Sequence, residues 1–216
     1  VLDPAEVLVD QQPRIADACH ALAASPVLAL DTEFVRTTQF SPRLCLTQIA
    51  GGDAVFCVDE LADVDTSPVW ELLCAGQRLC IVHAAKQDME VAWIRHRRLP
   101  QPLFDTQIAA ALVGQPAQVG YAGLVKALLD IDIDKTHTRA DWSRRPLGPE
   151  LIQYAAIDVL HLPTLHALLA AELHKQGRYA WAVEDSARLV DPALYTVNPG
   201  EAWRRLPGIP RHARSE

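Results

Sequence analysis

Asp31 and Glu33 stand two apart in Asp31-Thr32-Glu33-Phe34, directly after the apolar run Val27-Leu28-Ala29-Leu30. Side chains alternate along a strand, so both carboxylates fall on one face, at the point where the apolar run ends. At about 4 Å and an effective dielectric near 20 they repel by on the order of 4 kcal/mol, which a divalent cation would relieve. Alone, such a pair also fits a solvated strand end. Asp88, in His83-Ala84-Ala85-Lys86-Gln87-Asp88, follows another buried strand and on its own fits a first-turn helix acid favoured by the dipole. Tyr154 and Asp158 are four apart and share one helix face, which by itself could be a partly exposed face. Together these residues make four carboxylates and a tyrosine, an oxygen-rich set that suits Mg²⁺ or Mn²⁺ rather than zinc. Two such ions can activate water and stabilise the leaving oxygen in phosphodiester cleavage. No G-x-S-x-G is present, and the cysteines lack a visible partner, so covalent catalysis has no candidate.

The elements that must carry these residues follow from periodicity and punctuation. Strands are predicted over 6–9, 27–30, 44–50, 54–58, 79–82 and 103–104, with Gly51-Gly52-Asp53 turning a hairpin. Helices are predicted over 12–24, 67–75, 86–97, 105–112 and 121–129. One long helix is predicted over 149–176, bent at Pro163, and a further helix over 178–188. Ser67 is the expected cap of the second helix, with Pro68 at its first position. Residues 134–146 read as an irregular polar loop and 199–210 as an extended exit. A hairpin followed by strand–helix alternation predicts an α/β domain with a mixed sheet flanked by helices.

The 216 residues suit one domain, half of them hydrophobic and 22% charged, as in globular proteins. No secretory leader is expected, nor any membrane-spanning run or association. Cys19, Cys45, Cys57, Cys74 and Cys80 show no metal-binding spacing and read as reduced thiols of a cytoplasmic protein. A net charge of −7 argues against a nucleic-acid partner until its distribution is considered. Lys135 to Arg145 holds four basic residues against one Asp, Arg95-His96-Arg97-Arg98 forms a second cluster, and Arg204, Arg205, Arg211 and Arg214 crowd the tail.

Six stretches carry a specific resemblance: LALDTEFVR (28–36), LCLTQIA (44–50), VHAAKQDMEV (82–91), FDTQIAAAL (104–112), THTRADWSRRPL (136–147) and YAAIDVLHL (154–162). In this order they resemble ribonuclease D, of the DEDD exonucleases with a tyrosine in the third motif, over about residues 25–165. The resemblance implies a ribonuclease-H-like fold and two divalent metal ions, Mg²⁺ or Mn²⁺. It implies hydrolysis of RNA 3′ ends to nucleoside 5′-monophosphates, in tRNA or other stable RNA processing. Asp31, Glu33 and Asp158 would ligate the metal that delivers the attacking water, Asp31 bridging to a second metal that Asp88 supports. Tyr154 would orient the water, since a phenol with a pKa near 10 is a poor general base at neutral pH.

Thr32 and Phe34 flank the acidic pair and are candidates for contact with the terminal nucleotide, through backbone and stacking; Phe34 also suits plain core. His83 reads first as a packing histidine and second as support for the site, and is carried among the substrate-side candidates. Asp105 and Gln107 are expected to support the fold. Arg139, Arg144 and Arg145 are expected to grip the RNA backbone. Residues 1–198 would form the exonuclease domain and 199–216 an extension leading toward absent helical RNA-binding domains of the kind ribonuclease D carries. A monomer without an obligate protein partner is expected. The alternatives are an exonuclease acting mainly on DNA, or a catalytically silent RNA-binding domain.

Overall fold

A computed structural model describes residues 2–36, 41–134, 136–137 and 140–196. Six strands form one mixed sheet in the order β1-β4-β3-β2-β5-β6. They are β1 (Leu8–Val9), β2 (Val27–Val35), β3 (Arg43–Gly51), β4 (Ala54–Asp59), β5 (Leu79–Val82) and β6 (Leu103–Asp105). β2, β3 and β4 form an antiparallel meander, whereas β5 adds in parallel to β2, β6 in parallel to β5, and β1 in parallel to β4. This bears out the expected mixed sheet.

The helices are α1 (Pro4–Val7), α2 (Gln12–Ala23), α3 (Ser67–Cys74), α4 (Lys86–His96), α5 (Thr106–Leu112), α6 (Tyr121–Leu129), α7 (Pro149–Leu160), α8 (Leu162–Lys175) and α9 (Tyr179–Ala187). They sandwich the sheet. α2, α3 and α4 bury Ile15, Leu22, Trp70, Leu73 and Met89 against one face. α5 to α9 bury Ala109, Leu124, Ala155, Leu165 and Leu173 against the other.

Four expectations need correction. The strand expected over 6–9 is only Leu8–Val9, because Asp3 accepts from the Ala5 N–H at 2.9 Å and starts a helical turn with Pro4 at its head. Thr66 rather than Ser67 occupies the cap position of α3, and its hydroxyl bonds Glu60 instead of the helix.

β2 does not stop at Leu30. Its parallel pairing with β5 ends at Ala29↔Ile81, but its antiparallel pairing with β3 continues through Asp31↔Gln48 and Glu33↔Leu46 to Val35↔Arg43. The acidic pair therefore lies within a strand, at the level where the neighbouring strand gives out.

The long helix is divided. α7 ends at Leu160 and α8 begins at Leu162, so the break precedes Pro163, which lies within the first two positions of α8 where its missing N–H costs nothing. By length and mean hydropathy the 27-residue stretch Pro149–Lys175 could cross a membrane, although polar residues such as Glu150, Asp158 and His161 interrupt it. Here Ile152, Ala155, Val159, Leu165, Leu169 and Leu173 are buried in the core against the sheet.

Candidate active site

Three carboxylates from two elements converge. Asp31 and Glu33 project from β2 toward α7, which presents Asp158, and each offers an oxygen within 4.8 Å of the others. One turn earlier on α7, Tyr154 sets its ring against His137 (centroids 5.9 Å apart, edge-on) and Trp142 (6.3 Å). Ile133, His137, Gln153, Tyr154 and Ile157 help to line a cavity of about 160 Å³ beside that ring. A larger cavity of about 510 Å³, around Ala21, Pro26 and Gly52, contains none of these residues.

Asp88 lies outside the group of three. It is buried in the first turn of α4, where the Thr32 hydroxyl donates to it at 2.5 Å. Thr32 points to the opposite face of β2 from Asp31 and Glu33, so one strand holds three of the four acids: two by carrying them, one by a hydrogen bond. The side chain of Thr32 is thus engaged in support.

Burial and mutual repulsion keep protons on this cluster. Burial raises Asp31 well above the carboxylate range, and the neighbouring Asp158 adds to it. Glu33 is pushed up to about 9 by burial, then by Asp31, Asp158 and Asp88. Burial lifts Asp158 to about 7. Asp88 is raised by burial and by Asp31, against the Thr32 hydrogen bond. Carboxylates that resist ionisation together are the donor set a hard divalent cation stabilises. Gln48 fits the same reading. Fully buried and directly opposite Asp31 on β3, its side-chain nitrogen and oxygen both lack a hydrogen-bond partner. An orphaned amide facing the acidic cluster leaves a donor and an acceptor for a hydrated ion or its ligands.

The geometry around Glu33 has its own support. Pairing slips between Glu33↔Leu46 and Phe34↔Leu44, leaving Cys45 as an extra residue on β3. Its carbonyl accepts from the Glu60 N–H (3.2 Å) and from Arg145 Nη2 (2.9 Å). Such bulges redirect side chains. Phe34, just past the slip, packs half-buried against the core beneath α2, α3 and α4, with the Arg36 guanidinium 5.4 Å from its ring centroid.

The other candidates divide. Arg145 grips Asp59 through Nε and Nη2, both at 2.6 Å, and spends Nη1 on the Trp142 and Arg144 carbonyls. That engagement corrects its reading as a backbone grip: the fork that would meet a phosphate is already filled. Arg144 is exposed, with one weak tie to Asp141 at 3.2 Å. Arg139 lies outside the described residues. His83 is braced by Thr106 Oγ1 at 2.9 Å and the Val119 carbonyl at 3.0 Å, which favours support over substrate contact. Asp105 accepts from the N–H groups of Ala84, Ala85 and Gln107, holding Ala84 in the left-handed region (φ 58°) at the turn that leads to Asp88. Asp59, Gln48 and Tyr121 were not singled out from sequence. None carried a sequence signal: the predicted hairpin sets Gln48 opposite Cys57, and it is the β2–β3 pairing that brings it opposite Asp31.

A mixed sheet presenting two partly buried carboxylates to a helix that carries a tyrosine and a third acid suits divalent-metal chemistry. A family model described as 3′-5′ exonuclease matches residues 7–174, and the chain belongs to that family. Its resemblance to ribonuclease D extends across the chain: the protein of that name from Granulibacter bethesdensis is 43% identical over 204 residues, covering 94% of this chain and 52% of the relative. The crystal structure of Escherichia coli RNase D, described as an exoribonuclease involved in structured RNA processing, superimposes with a TM-score of 0.85 at 36% identity, over 92% of this chain and 53% of that one. Brucella melitensis NrnC with bound Mg²⁺ matches with a TM-score of 0.71 at 26% identity, over 88% and 92%. The chain spans about half the length of the curated relatives it matches.

Proposed function

We propose that this chain removes nucleotides one at a time from the 3′ end of RNA, releasing nucleoside 5′-monophosphates. One observation carries the reading: Asp31, Glu33 and Asp158 bring oxygens within 4.8 Å of one another, with Tyr154 one turn from Asp158, in a 3′-5′ exonuclease fold. These three acids and Asp88 would hold two divalent cations, Mg²⁺ or Mn²⁺. When bound, the cations supply the positive charge that makes water nucleophilic at neutral pH and stabilises the departing 3′ oxygen.

The chain's own groups do the rest. Asp31, Glu33 and Asp158 would hold the cations as carboxylates, once deprotonated, and the Thr32 hydroxyl keeps Asp88 oriented. Tyr154 orients the attacking water by hydrogen bonding. The backbone around Thr32 and the ring of Phe34 meet the terminal nucleotide, and Arg144, with Arg139, offers positive charge to the phosphates. Arg145 holds the loop that presents them. His83 acts from behind, as support.

Structured RNAs, the class in whose processing the E. coli relative is described as involved, are the natural class of substrate, with precursor tRNA the proposed member. All five cysteines are free thiols, which supports a reducing, cytoplasmic setting. The catalytic unit is a monomer within residues 1–198, and light scattering during gel filtration checks that state.

The test uses 5′-labelled RNA and DNA of one sequence, incubated with the purified chain in Mg²⁺, Mn²⁺ or EDTA. The expected result is a ladder shortening from the RNA 3′ end that EDTA abolishes. Faster loss of DNA, or internal cuts, would overturn the assignment.

A further inference from the structure

α6 carries none of the acidic residues, yet its first residue reaches the turn that holds Asp158. The Tyr121 hydroxyl donates to the Ile157 carbonyl at 2.7 Å and accepts from the His161 N–H at 3.2 Å. In an uninterrupted helix these two backbone groups, four residues apart, would bond each other. The phenol is spliced between them, sharing the His161 N–H with the Val159 carbonyl. An inserted side chain is a known cause of a helix break, and α7 stops at Leu160. The carbonyl Tyr121 holds belongs to the residue immediately before Asp158.

The tyrosine is itself braced. Its ring meets the edge of His83, centroids 5.9 Å apart and planes at 66°. Thr106 and the Val119 carbonyl hold both His83 nitrogens, and Gln107 donates to that same carbonyl at 3.0 Å. A continuous chain of contacts thus runs from the start of α5 through His83 and Tyr121 to the last turn of α7. Burial raises the phenol's pKa, and the charges of Asp158 and Asp31 add to it, so the hydroxyl stays protonated and can donate.

We propose that Tyr121 is a positioning residue: by splicing the α7–α8 junction it fixes where the Asp158 carboxylate leaves the helix, so that its oxygen meets those of Asp31 and Glu33. The inference rests on reading Asp158 as a metal ligand. Without the splice, the last turn of α7 can close its own hydrogen bond and rotate Asp158 away from the strand.

Tyr121→Phe removes both hydrogen bonds and keeps the ring against His83. In RNA-free calorimetric titration with Mn²⁺, its affinity is expected to fall about tenfold, the scale of a lost supporting hydrogen bond at a metal ligand. Turnover should fall by a similar factor while KM for RNA stays within about twofold. Ile15→Val, in α2 on the far face of the sheet, should lower Tm and leave Mn²⁺ affinity unchanged. In the Asp158→Asn background, Tyr121→Phe should cost no further affinity. Should Tyr121→Phe not fold, the wild type still decides: linkage requires Mn²⁺ to slow exchange of the His161 amide. Wild-type Mn²⁺ affinity in a folded Tyr121→Phe, or His161 exchange unaltered at Mn²⁺ saturation, overturns the proposal. If Asp158→Asn alone retains wild-type Mn²⁺ affinity and turnover, it is the reading of the site that fails.

Discussion

Arg145 and Asp59 form a two-pronged ion pair, Nε and Nη2 each 2.6 Å from a carboxylate oxygen, that ties the loop after Trp142 to the end of β4. The same guanidinium reaches the Cys45 carbonyl, exposed by the register slip beside Glu33. An arginine that sequence places among phosphate contacts therefore holds the strand geometry next to a candidate metal ligand.

Arg145 and Arg144 should consequently respond differently to alanine substitution. Arg145→Ala is expected to cost about 2 kcal/mol of stability, below the fully buried limit because the arginine is partly exposed. Its effect on KM should not depend on salt. Arg144→Ala should leave Tm unchanged, raise KM, and reduce the slope of log KM against log salt by about 0.7, the share of one phosphate contact on a single strand. Thermal melts and KM measured across a salt series separate the two; matching behaviour would reject the division.

Thr32→Val keeps shape and burial but removes the only side-chain hydroxyl donating to Asp88 among the described residues. Asp88 then loses its orientation, and turnover is expected to drop about tenfold, with little change in KM. Thr32→Ser should restore most of the activity. Equal rates for the Val and Ser variants would show that the hydroxyl has no part in holding Asp88.

Gln48 offers a test of stability against function. A buried amide without partners costs about 1–3 kcal/mol, and the wild-type fold bears this cost opposite Asp31. Gln48→Leu should keep or raise metal-free Tm while weakening Mn²⁺ binding and turnover. A destabilised variant with full activity would mean that the amide serves the fold alone.

The pH dependence follows from Glu33 at about 9 and Asp158 at about 7. Folding raises both above their ordinary values, so the folded chain holds protons that the unfolded chain releases. Their contribution to metal-free stability is fully present below the ordinary carboxylate range and is lost as pH rises through about 7 and then about 9. Cations bind the deprotonated form and reverse this trend. Mn²⁺ should therefore raise Tm more at about pH 9 than at about pH 6, and its binding should release protons in the lower range. Calorimetry in buffers of different ionisation enthalpy measures that release. Metal-free Tm rising steadily across this range would contradict the cluster's electrostatics.

How much of this was legible in the sequence differs by level. The acidic residues and Tyr154 could be placed on strand and helix because alternation and four-residue spacing are local properties, and the order of strands and helices followed from the same patterns. The length of β2 was underestimated because its second half is sustained by β3, a partner the apolar run does not record. The interruption of the long helix was signalled by Pro163, which lies at the head of α8, whereas the Tyr121 hydroxyl that bonds the same turn is not visible in sequence. Arg145 looked like its neighbours until Asp59, 86 positions away, supplied its partner. Residue type and spacing reveal which groups can do chemistry; tertiary contacts decide which of them are already engaged.

The central claim is that Asp31, Glu33 and Asp158 act together through divalent cations. Its most direct test is single-turnover cleavage of a 5′-labelled RNA by Asp31→Asn, with Mn²⁺ affinity and the circular dichroism spectrum measured on the same preparation. Turnover should disappear and Mn²⁺ binding weaken while the spectrum stays unchanged and Tm holds or rises, because one of three crowded carboxylates has been neutralised. Wild-type cleavage by a folded Asp31→Asn would contradict the account.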